Sequence, residues 1–211
     1  MKVVYIPTKV KNAGIDKLMS KVDIPGKYAI VTTIQYLDEV NELKKKGYTV
    51  LGQILGCNIV TVQKEKEYDS YLYIGTGFFH PLHLAHNIDK PIYVLDPMTH
   101  AFSKLPAEIK KKYEDRQRGM LLRYYSAKKV GIIVSIKTGQ NQMRRALQFK
   151  EKFDEKYNGK KKSYIFLCDT VQSLEDFIDI DCFVNTACIR IFEDDLGKPV
   201  VNIRDVEENM L

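Results

Sequence analysis

The feature that most constrains the fold of this chain is an ordered internal repeat. Three pairs of segments match in the same order, at an interval of roughly 105 residues: Ala29–Gln35 (AIVTTIQ) with Ile132–Gln140 (IIVSIKTGQ), Tyr73–Thr76 with Phe183–Thr186, and Lys90–Ile92 with Lys198–Val200. Chance could produce any one match, but it is a poor account of three in one order. The chain is therefore predicted to contain two copies of one unit, with domain bounds at residues 1–103 and 104–211.

Apolar runs alternate with amphipathic segments in both copies. Lys27–Ile34 is an unbroken apolar run, as expected of a strand buried on both faces. Gln35–Lys46 follows with apolar residues at every third position, which is typical of a helix. Further strands are predicted at Tyr48–Leu55, Ser70–Ile74, Pro91–Leu95, Val130–Ile136, Ser163–Leu167, Cys182–Val184 and Val200–Ile203, and further helices at Ser103–Ala127 and Asn141–Tyr157. The alternation predicts an α/β fold of two related domains, each a small parallel β-sheet flanked by helices.

Composition sets limits on the partners of the chain. Of 211 residues, 45% are hydrophobic, and no apolar run approaches the ~18–20 residues that span a bilayer. We expect a cytoplasmic protein with no membrane partner. The net charge of +6 is spread along the chain, and its densest run is Lys160–Lys162. That run indicates a solvated turn, or else a basic patch for an RNA-associated or acidic partner. No nucleic-acid motif is present, so direct nucleic-acid binding is not expected.

The four cysteines form no CxxC pair, which excludes zinc-ribbon spacing. Cys57, Cys168 and Cys188 each follow a predicted strand, and open α/β sheets place their ligand sites at the carboxyl ends of the strands. Cys182 lies inside an apolar strand and is predicted to belong to the core. The other three cysteines are candidates for a ligand site.

Four further residues are candidates for cofactor binding. Gln35 and Gln140 occupy equivalent places in the two copies, where each could reach the amino-acid part of a cofactor or only cap its own helix. Gly75 and Gly77 precede a predicted helix, and backbone N–H groups at such a place can hold a carboxylate. The glycine pattern is too short to be a dinucleotide-binding motif.

Three histidines recur at every third position. His80, His83 and His86 could form a metal-binding face of a helix. The other interpretation is a helix that begins near His80-Pro81 and exposes two of its histidines to solvent.

Several stretches of the chain resemble one known family. The four that carry the resemblance are Gly52–Asn58 (GQILGCN), Ile74–Ala85 (IGTGFFHPLHLA), Lys90–Pro97 (KPIYVLDP) and Val184–Ile191 (VNTACIRI). Val31–Gln35 and Ser135–Gln140 fit the same pattern. Together they resemble the 2-(3-amino-3-carboxypropyl)histidine synthase family, which begins diphthamide synthesis on elongation factor 2.

The resemblance implies a cofactor and a reaction. Members of the family are similar in having three related α/β domains, each of which gives one cysteine to a [4Fe–4S] cluster. The cluster binds S-adenosylmethionine, and a 3-amino-3-carboxypropyl group passes to a histidine of elongation factor 2. The resemblance makes Cys57 and Cys188 cluster ligands, and thiolates are the usual ligands of such clusters. Ile189 stands where the family motif has proline.

The opening of the chain resembles the start of the second domain of the family, so the cysteine of the first domain has no counterpart. A third thiolate is then expected from a partner chain, in a homodimer or in a heterodimer with a family member that supplies the missing domain, or from Cys168. The resemblance identifies no residue that acts on the substrate. The alternatives to a transferase are a non-catalytic partner subunit and a cluster-free binding protein of the same fold.

Overall fold

The structure is a computed structural model that describes residues 4–55, 58–59, 62 and 67–207. Its strands are β1 (Tyr28–Thr32), β2 (Val50–Gln53), β3 (Ser70–Ile74), β4 (Ile92–Asp96), β5 (Ala101–Lys104), β6 (Lys129–Ser135), β7 (Lys162–Cys168), β8 (Cys182–Asn185) and β9 (Val200–Asn202). Its helices are α1 (Ile15–Leu18), α2 (Leu37–Glu42), α3 (Phe79–Asn87), α4 (Ala107–Ser126), α5 (Met143–Tyr157) and α6 (Ile203–Glu207). Short 3-10 turns cover Met19–Lys21, Leu43–Lys46 and Ile189–Glu193.

The chain forms two compact units, Met1–Lys111 and Lys112–Leu211. The first sheet has the strand order β2-β1-β3-β4-β5, and the second has the order β7-β6-β8-β9. The four parallel strands therefore follow the same order in both units, as expected of a repeated unit. The α/β fold class is confirmed. The domain bounds at 1–103 and 104–211 describe the extent of the repeat and stay a prediction.

The first sheet contains an antiparallel strand that the sequence analysis did not predict. The predicted helix Ser103–Ala127 begins only at Ala107, because Ala101–Lys104 pairs antiparallel with β4. The Asp96 carboxylate accepts hydrogen bonds from two backbone N–H groups of the turn between the strands. Phe102 stacks on a β4 tyrosine ring, with 5.9 Å between the ring centroids. The first sheet is thus mixed, where a parallel one was predicted.

Both sheets are buried on two faces, which explains their unbroken apolar runs. In β1, Ala29 and Val31 pack into one hydrophobic cluster and Ile30 into another. In β6, Ile132 packs on one face and Ile133 on the other. Within the described ranges, no helix is both long enough and apolar enough to cross a bilayer.

Gly131, in the middle of β6, provides a test of the packing of the second sheet. A Cβ atom there would collide with the Phe183 ring and lie 3.0 Å from the Phe166 ring. We predict that Gly131→Ala lowers the free energy of unfolding by about 1–3 kcal/mol, because the core is overpacked. Gly119→Ala in α4 is the matched control: a Cβ atom there meets no neighbour within 4 Å, so the substitution should stabilise by about 1 kcal/mol. Urea unfolding measures the stability of both variants. Equal unfolding midpoints for the two variants would contradict the close packing around Gly131.

Candidate functional site

Cys188 lies in a short loop at the carboxyl end of β8. The residue is half-buried, and the 3-10 turn Ile189–Glu193 begins directly after it. The carbonyl oxygen of Cys188 accepts a hydrogen bond from the Ile191 N–H at 3.1 Å. The loop therefore has a defined backbone on the carboxyl side of the cysteine.

The side chain of Asn185 anchors this loop through hydrogen bonds. Its Nδ2 donates to the Cys188 carbonyl oxygen at 2.8 Å, and its Oδ1 accepts from the Ala187 N–H at 2.9 Å. Nδ2 also donates to Oδ1 of Asn202 on β9, at 2.9 Å. Asn185 and Asn202 are only 2% and 4% exposed. Buried amides need partners, so this network fixes both the loop and the direction of the Asn185 amide.

Thr186 joins the same loop to the neighbouring strand. Its hydroxyl and its N–H both donate to the carbonyl oxygen of Ile133 on β6, at 2.7 and 3.1 Å. The first unit has a similar bond between neighbouring strands, since the Thr32 hydroxyl donates to the Ile74 carbonyl oxygen at 2.7 Å. Buried threonines thus secure the carboxyl end of each sheet.

Ile189, which replaces the proline of the family motif, is the first residue of the 3-10 turn. Proline suits the first position of a helix because its φ is compatible and its missing N–H has no partner within the helix. The position would therefore accept either residue. The loop keeps its anchors at Asn185 and Thr186, which do not involve residue 189.

Cys57 lies outside the described residues, so its role stays a prediction. Leu55 and Asn58, on either side of the Gly56-Cys57 pair, exchange two backbone hydrogen bonds of 3.0 Å each. This pairing joins the two flanks of the segment just after β2.

Cys168 is the last residue of β7 and is half-buried. Its thiol donates to the Val134 carbonyl oxygen at 3.7 Å. Burial raises the pKa of the Cys168 thiol, Asp169 raises it further, and Lys137 opposes the rise. Because β6 lies between β7 and β8, the strand of Cys168 is not adjacent to the strand that leads to Cys188. These features favour a structural thiol, and the assignment as a third ligand stays a prediction.

Gln35 lies in the turn after β1, and Gln140 lies in the turn after β6. These two strands have equivalent places in their sheets, each next to an edge strand. Gln35 is exposed, and its carbonyl oxygen accepts from the Val10 N–H at 2.8 Å. Gln140 is half-buried, and its N–H donates to the Lys137 carbonyl oxygen at 3.0 Å. Their backbones shape the turns, whereas the predicted cofactor contacts of their side chains stay predictions.

Gly75 has a packing role of its own. A Cβ atom there would collide with the phenol of Tyr73, which is buried beneath the segment. Burial raises the pKa of Tyr73, a hydrogen bond with Thr33 opposes the rise, and the ring stacks on His80. Gly77 has a φ of 69°, in the left-handed region that favours glycine. The predicted carboxylate-binding role of both glycines stays a prediction.

The three histidines lie on α3, which confirms the helix that begins near His80-Pro81. His83 is buried, with its ring 4.7 Å from that of Phe79. His80 is half-buried and His86 is exposed, so the expectation of two exposed histidines is wrong. Among the described residues, no group of three or more histidine, cysteine or acidic side chains could hold a metal ion.

Asn185 and Asn202 were not predicted from the sequence as anchors of the Cys188 loop. The available signal was a pair of asparagines at the ends of two apolar runs. The register of the second sheet places Asn185 opposite Asn202 on the adjacent strand. This pairing allows the two side chains to form a hydrogen bond.

Comparison with known proteins points to a single family. A model of the diphthamide synthesis protein family matches residues 1–208. The 2-(3-amino-3-carboxypropyl)histidine synthase of Pyrococcus horikoshii is 30% identical over 97% of this chain and 64% of its own length. That of Methanocaldococcus jannaschii is 32% identical over 80% of this chain and 46% of its own length.

A solved structure agrees with the sequence matches. The crystal structure of Dph2 from Pyrococcus horikoshii with a 4Fe-4S cluster has a TM-score of 0.71 and 29% identity, over 93% of this chain and 59% of that protein. The chain thus spans less than two thirds of the length of these relatives.

The Asn185 network can be tested with a substitution that keeps its shape. Asn185→Asp replaces the amide donor by an oxygen that faces two acceptors, and it buries a carboxylate. We predict a loss of about 3–5 kcal/mol in the free energy of unfolding at pH 7. The Cys188 thiol should also react faster with a thiol reagent under native conditions. Asn158→Asp, at an exposed helix C-terminus, is the control: it should cost no more than about 1 kcal/mol and should leave the reactivity of Cys188 unchanged.

The reactivities of the thiols should follow their burial. Cys182 lies in the core, as predicted, and burial raises the pKa of its thiol to about 12. Only the thiolate reacts, so a raised pKa moves the reaction to higher pH. Among the three cysteines that the structure describes, we predict that iodoacetamide modifies Cys188 first and Cys168 only at higher pH, while Cys182 stays unmodified until the chain unfolds. Mass spectrometry of digested samples measures the order, and early modification of Cys182 would contradict its core position.

Proposed function

Because the chain belongs to the diphthamide synthesis protein family, we propose that it takes part in transferring a 3-amino-3-carboxypropyl group from S-adenosylmethionine to a histidine of elongation factor 2. In this proposal, Cys57 and Cys188 are two ligands of a [4Fe–4S] cluster. The observation that carries the proposal is the half-buried Cys188 on a loop fixed by the buried Asn185 amide.

The Cys188 loop fits the needs of a cluster ligand. The hydrogen bonds that anchor the loop use backbone atoms, the Asn185 amide and the Thr186 hydroxyl rather than the sulfur. Its thiolate could therefore bind iron without disturbing the anchors, and a fixed backbone keeps a ligand in place before the metal binds. When bound, the cluster supplies the electron that breaks a bond from the sulfur of S-adenosylmethionine to its methionine part.

The chain's other candidate residues are proposed to bind the substrate. Gln140 follows β6, whose neighbour β8 leads to Cys188, so we assign its side chain to the amino-acid part of S-adenosylmethionine. Gln35 has the equivalent place in the first unit. The N–H groups of the segment that contains Gly75 and Gly77 lie before α3 and are assigned to a carboxylate.

The third thiolate is proposed to come from a partner chain of the same family, in a homodimer or a heterodimer. Cys168 is the less suitable source, because its thiol contacts the Val134 carbonyl oxygen and burial raises its pKa. Its strand is also separated by β6 from the strand that precedes Cys188. A thiol that ionises less readily binds iron less well at neutral pH.

Anaerobic reconstitution with iron and sulfide tests the ligand set. Cys57→Ala and Cys188→Ala should each lower the bound iron severalfold, and should weaken the electron paramagnetic resonance signal of the reduced protein. Cys182→Ala is the matched control, since it removes a core thiol and should leave the signal unchanged. Cys168→Ala should also leave it unchanged if a partner supplies the third ligand. Equal iron content after replacement of both Cys57 and Cys188 would contradict the proposal.

A supporting subunit is the second candidate function. It is suggested by Ile189, which stands where the family motif has proline. An activity assay with a full-length family member separates the two functions. Full activity with the Cys57→Ala/Cys188→Ala variant would indicate support, whereas loss of activity in a folded variant would indicate ligation.

A further inference from the structure

The 3-10 turn that follows Cys188 is held at both of its ends. At its start, the Cys188 carbonyl oxygen accepts a hydrogen bond from the Asn185 amide. At its end, the Asp194 carbonyl oxygen accepts a hydrogen bond of 2.9 Å from Nη2 of Arg116 on α4. The last carbonyl groups of a helical turn have no partner within the turn, and a nearby arginine can donate to them. Arg116 thus satisfies the carboxyl end of the turn.

The ring of Phe192 gives Arg116 a second contact with the turn. The guanidinium carbon of Arg116 lies 5.6 Å from the centroid of the Phe192 ring, which is within the range of a cation–π interaction. The Tyr113 ring meets the same ring edge to face, with 5.4 Å between the centroids. Tyr113 and Arg116 are three residues apart on α4, a spacing that places them on one face of the helix. Phe192 and Tyr113 are buried, so the turn packs against α4 and is also hydrogen-bonded to it.

A series of backbone hydrogen bonds connects the Arg116 contact to Cys188. The Asp194 N–H donates to the Ile191 carbonyl oxygen at 3.3 Å, and the Ile191 N–H donates to the Cys188 carbonyl oxygen at 3.1 Å. Asp194 and Ile191 therefore each donate through their N–H and accept through their C=O. A displacement at the Asp194 end of the turn is passed along these bonds to Cys188. All of these residues belong to the second unit, Lys112–Leu211.

The amino end of the turn lacks the constraint that proline gives in the family motif. Proline fixes φ near −65°, whereas Ile189 leaves this angle free to vary. The backbone still has a geometry that accepts proline, because Cys188 has a φ of −67° and a ψ of 129°, the extended conformation that a residue before proline requires. No described residue accepts a backbone hydrogen bond from the Ile189 N–H. The turn thus has the geometry of the family motif without its proline.

We propose that Arg116 is a positioning residue for Cys188, and that it constrains from α4 the turn that proline constrains in the family motif. Arg116 holds the carboxyl end through Asp194 and Phe192, while Asn185 holds the amino end. These contacts do not use the Cys188 sulfur, so the thiolate stays available for iron. The role of Arg116 toward a cluster ligand rests on the proposed function, whereas its constraint on the turn does not depend on a metal.

Hydrogen exchange in the metal-free chain tests the constraint on the turn. Arg116→Gln should speed exchange of the Ile191 and Asp194 amides by roughly fivefold, the effect of losing one hydrogen bond and one cation–π contact at an exposed site. Arg118→Gln is the matched control, because it removes the same charge from an exposed position of the same helix, and it should leave exchange unchanged. Thermal unfolding checks that each variant is folded. Exchange in Arg116→Gln that equals that of the unmodified chain, or of Arg118→Gln, would overturn the proposal.

A proline at residue 189 tests whether Arg116 and the family proline restrict the same motion. Ile189→Pro fixes φ at the start of the turn. The variant Ile189→Pro/Arg116→Gln should therefore bring exchange of the Ile191 amide back to within about twofold of the unmodified chain. Arg118→Gln should be unaffected by the added proline. A double variant that exchanges as fast as Arg116→Gln alone would also overturn the proposal.

Anaerobic reconstitution with iron and sulfide tests the role toward the cluster. Arg116→Gln should lower the bound iron by about twofold or more and should broaden the electron paramagnetic resonance signal of the reduced protein. Arg118→Gln should do neither, and added Ile189→Pro should restore both. Normal iron content and an unchanged signal in Arg116→Gln would overturn the positioning role. An unmodified chain that binds no iron would contradict the proposed function instead, and hydrogen exchange would still decide whether Arg116 fixes the turn.

Discussion

The candidate site depends on one buried amide. Asn185 sits at the end of a strand whose other residues are apolar, and its side chain is almost fully buried. A buried amide without partners costs about 1–3 kcal/mol, so the second sheet is less stable unless the Cys188 loop and Asn202 provide those partners. The buried amide and the Cys188 loop therefore depend on each other. The core holds the loop in place, and the loop completes the core, so the position of the Cys188 backbone is tied to the stability of the second sheet.

Much of the fold could be predicted from the sequence because both sheets are buried on two faces. This burial produces continuous apolar runs, and β3 (Ser70–Ile74) coincides with its predicted bounds. The prediction failed at β5, where Ala101–Lys104 is mostly exposed and too short to show a period. Its pairing depends on the turn stabilised by Asp96. A carboxylate that caps a turn looks the same in a sequence as one that is solvated.

The site was less predictable than the fold. Cys188 was identified by its resemblance to a family motif and not by its surroundings. Asn185 was missed because its role requires Asn202, which is distant in sequence and becomes a neighbour only through the parallel pairing of β8 with β9. The burial of His83 was also not predictable from the sequence. Its spacing suggested either a metal face or an exposed residue, and packing against Phe79 places it in the interior.

The two units share four parallel strands but differ at their edges. In the first unit, β4 is covered by the antiparallel β5. In the second, β9 leads directly into α6, where Glu207 accepts two hydrogen bonds from the Arg145 guanidinium on α5. The edge strand beside the inner strand also differs between the units. In the first unit, β2 is short and pairs with β1 in an irregular register, whereas in the second unit β7 is long and pairs with β6 in a regular register. Because the shared strands carry the core, they tolerate little change. The differences between the two units are therefore concentrated at sheet edges and strand-end loops, where a change costs least stability.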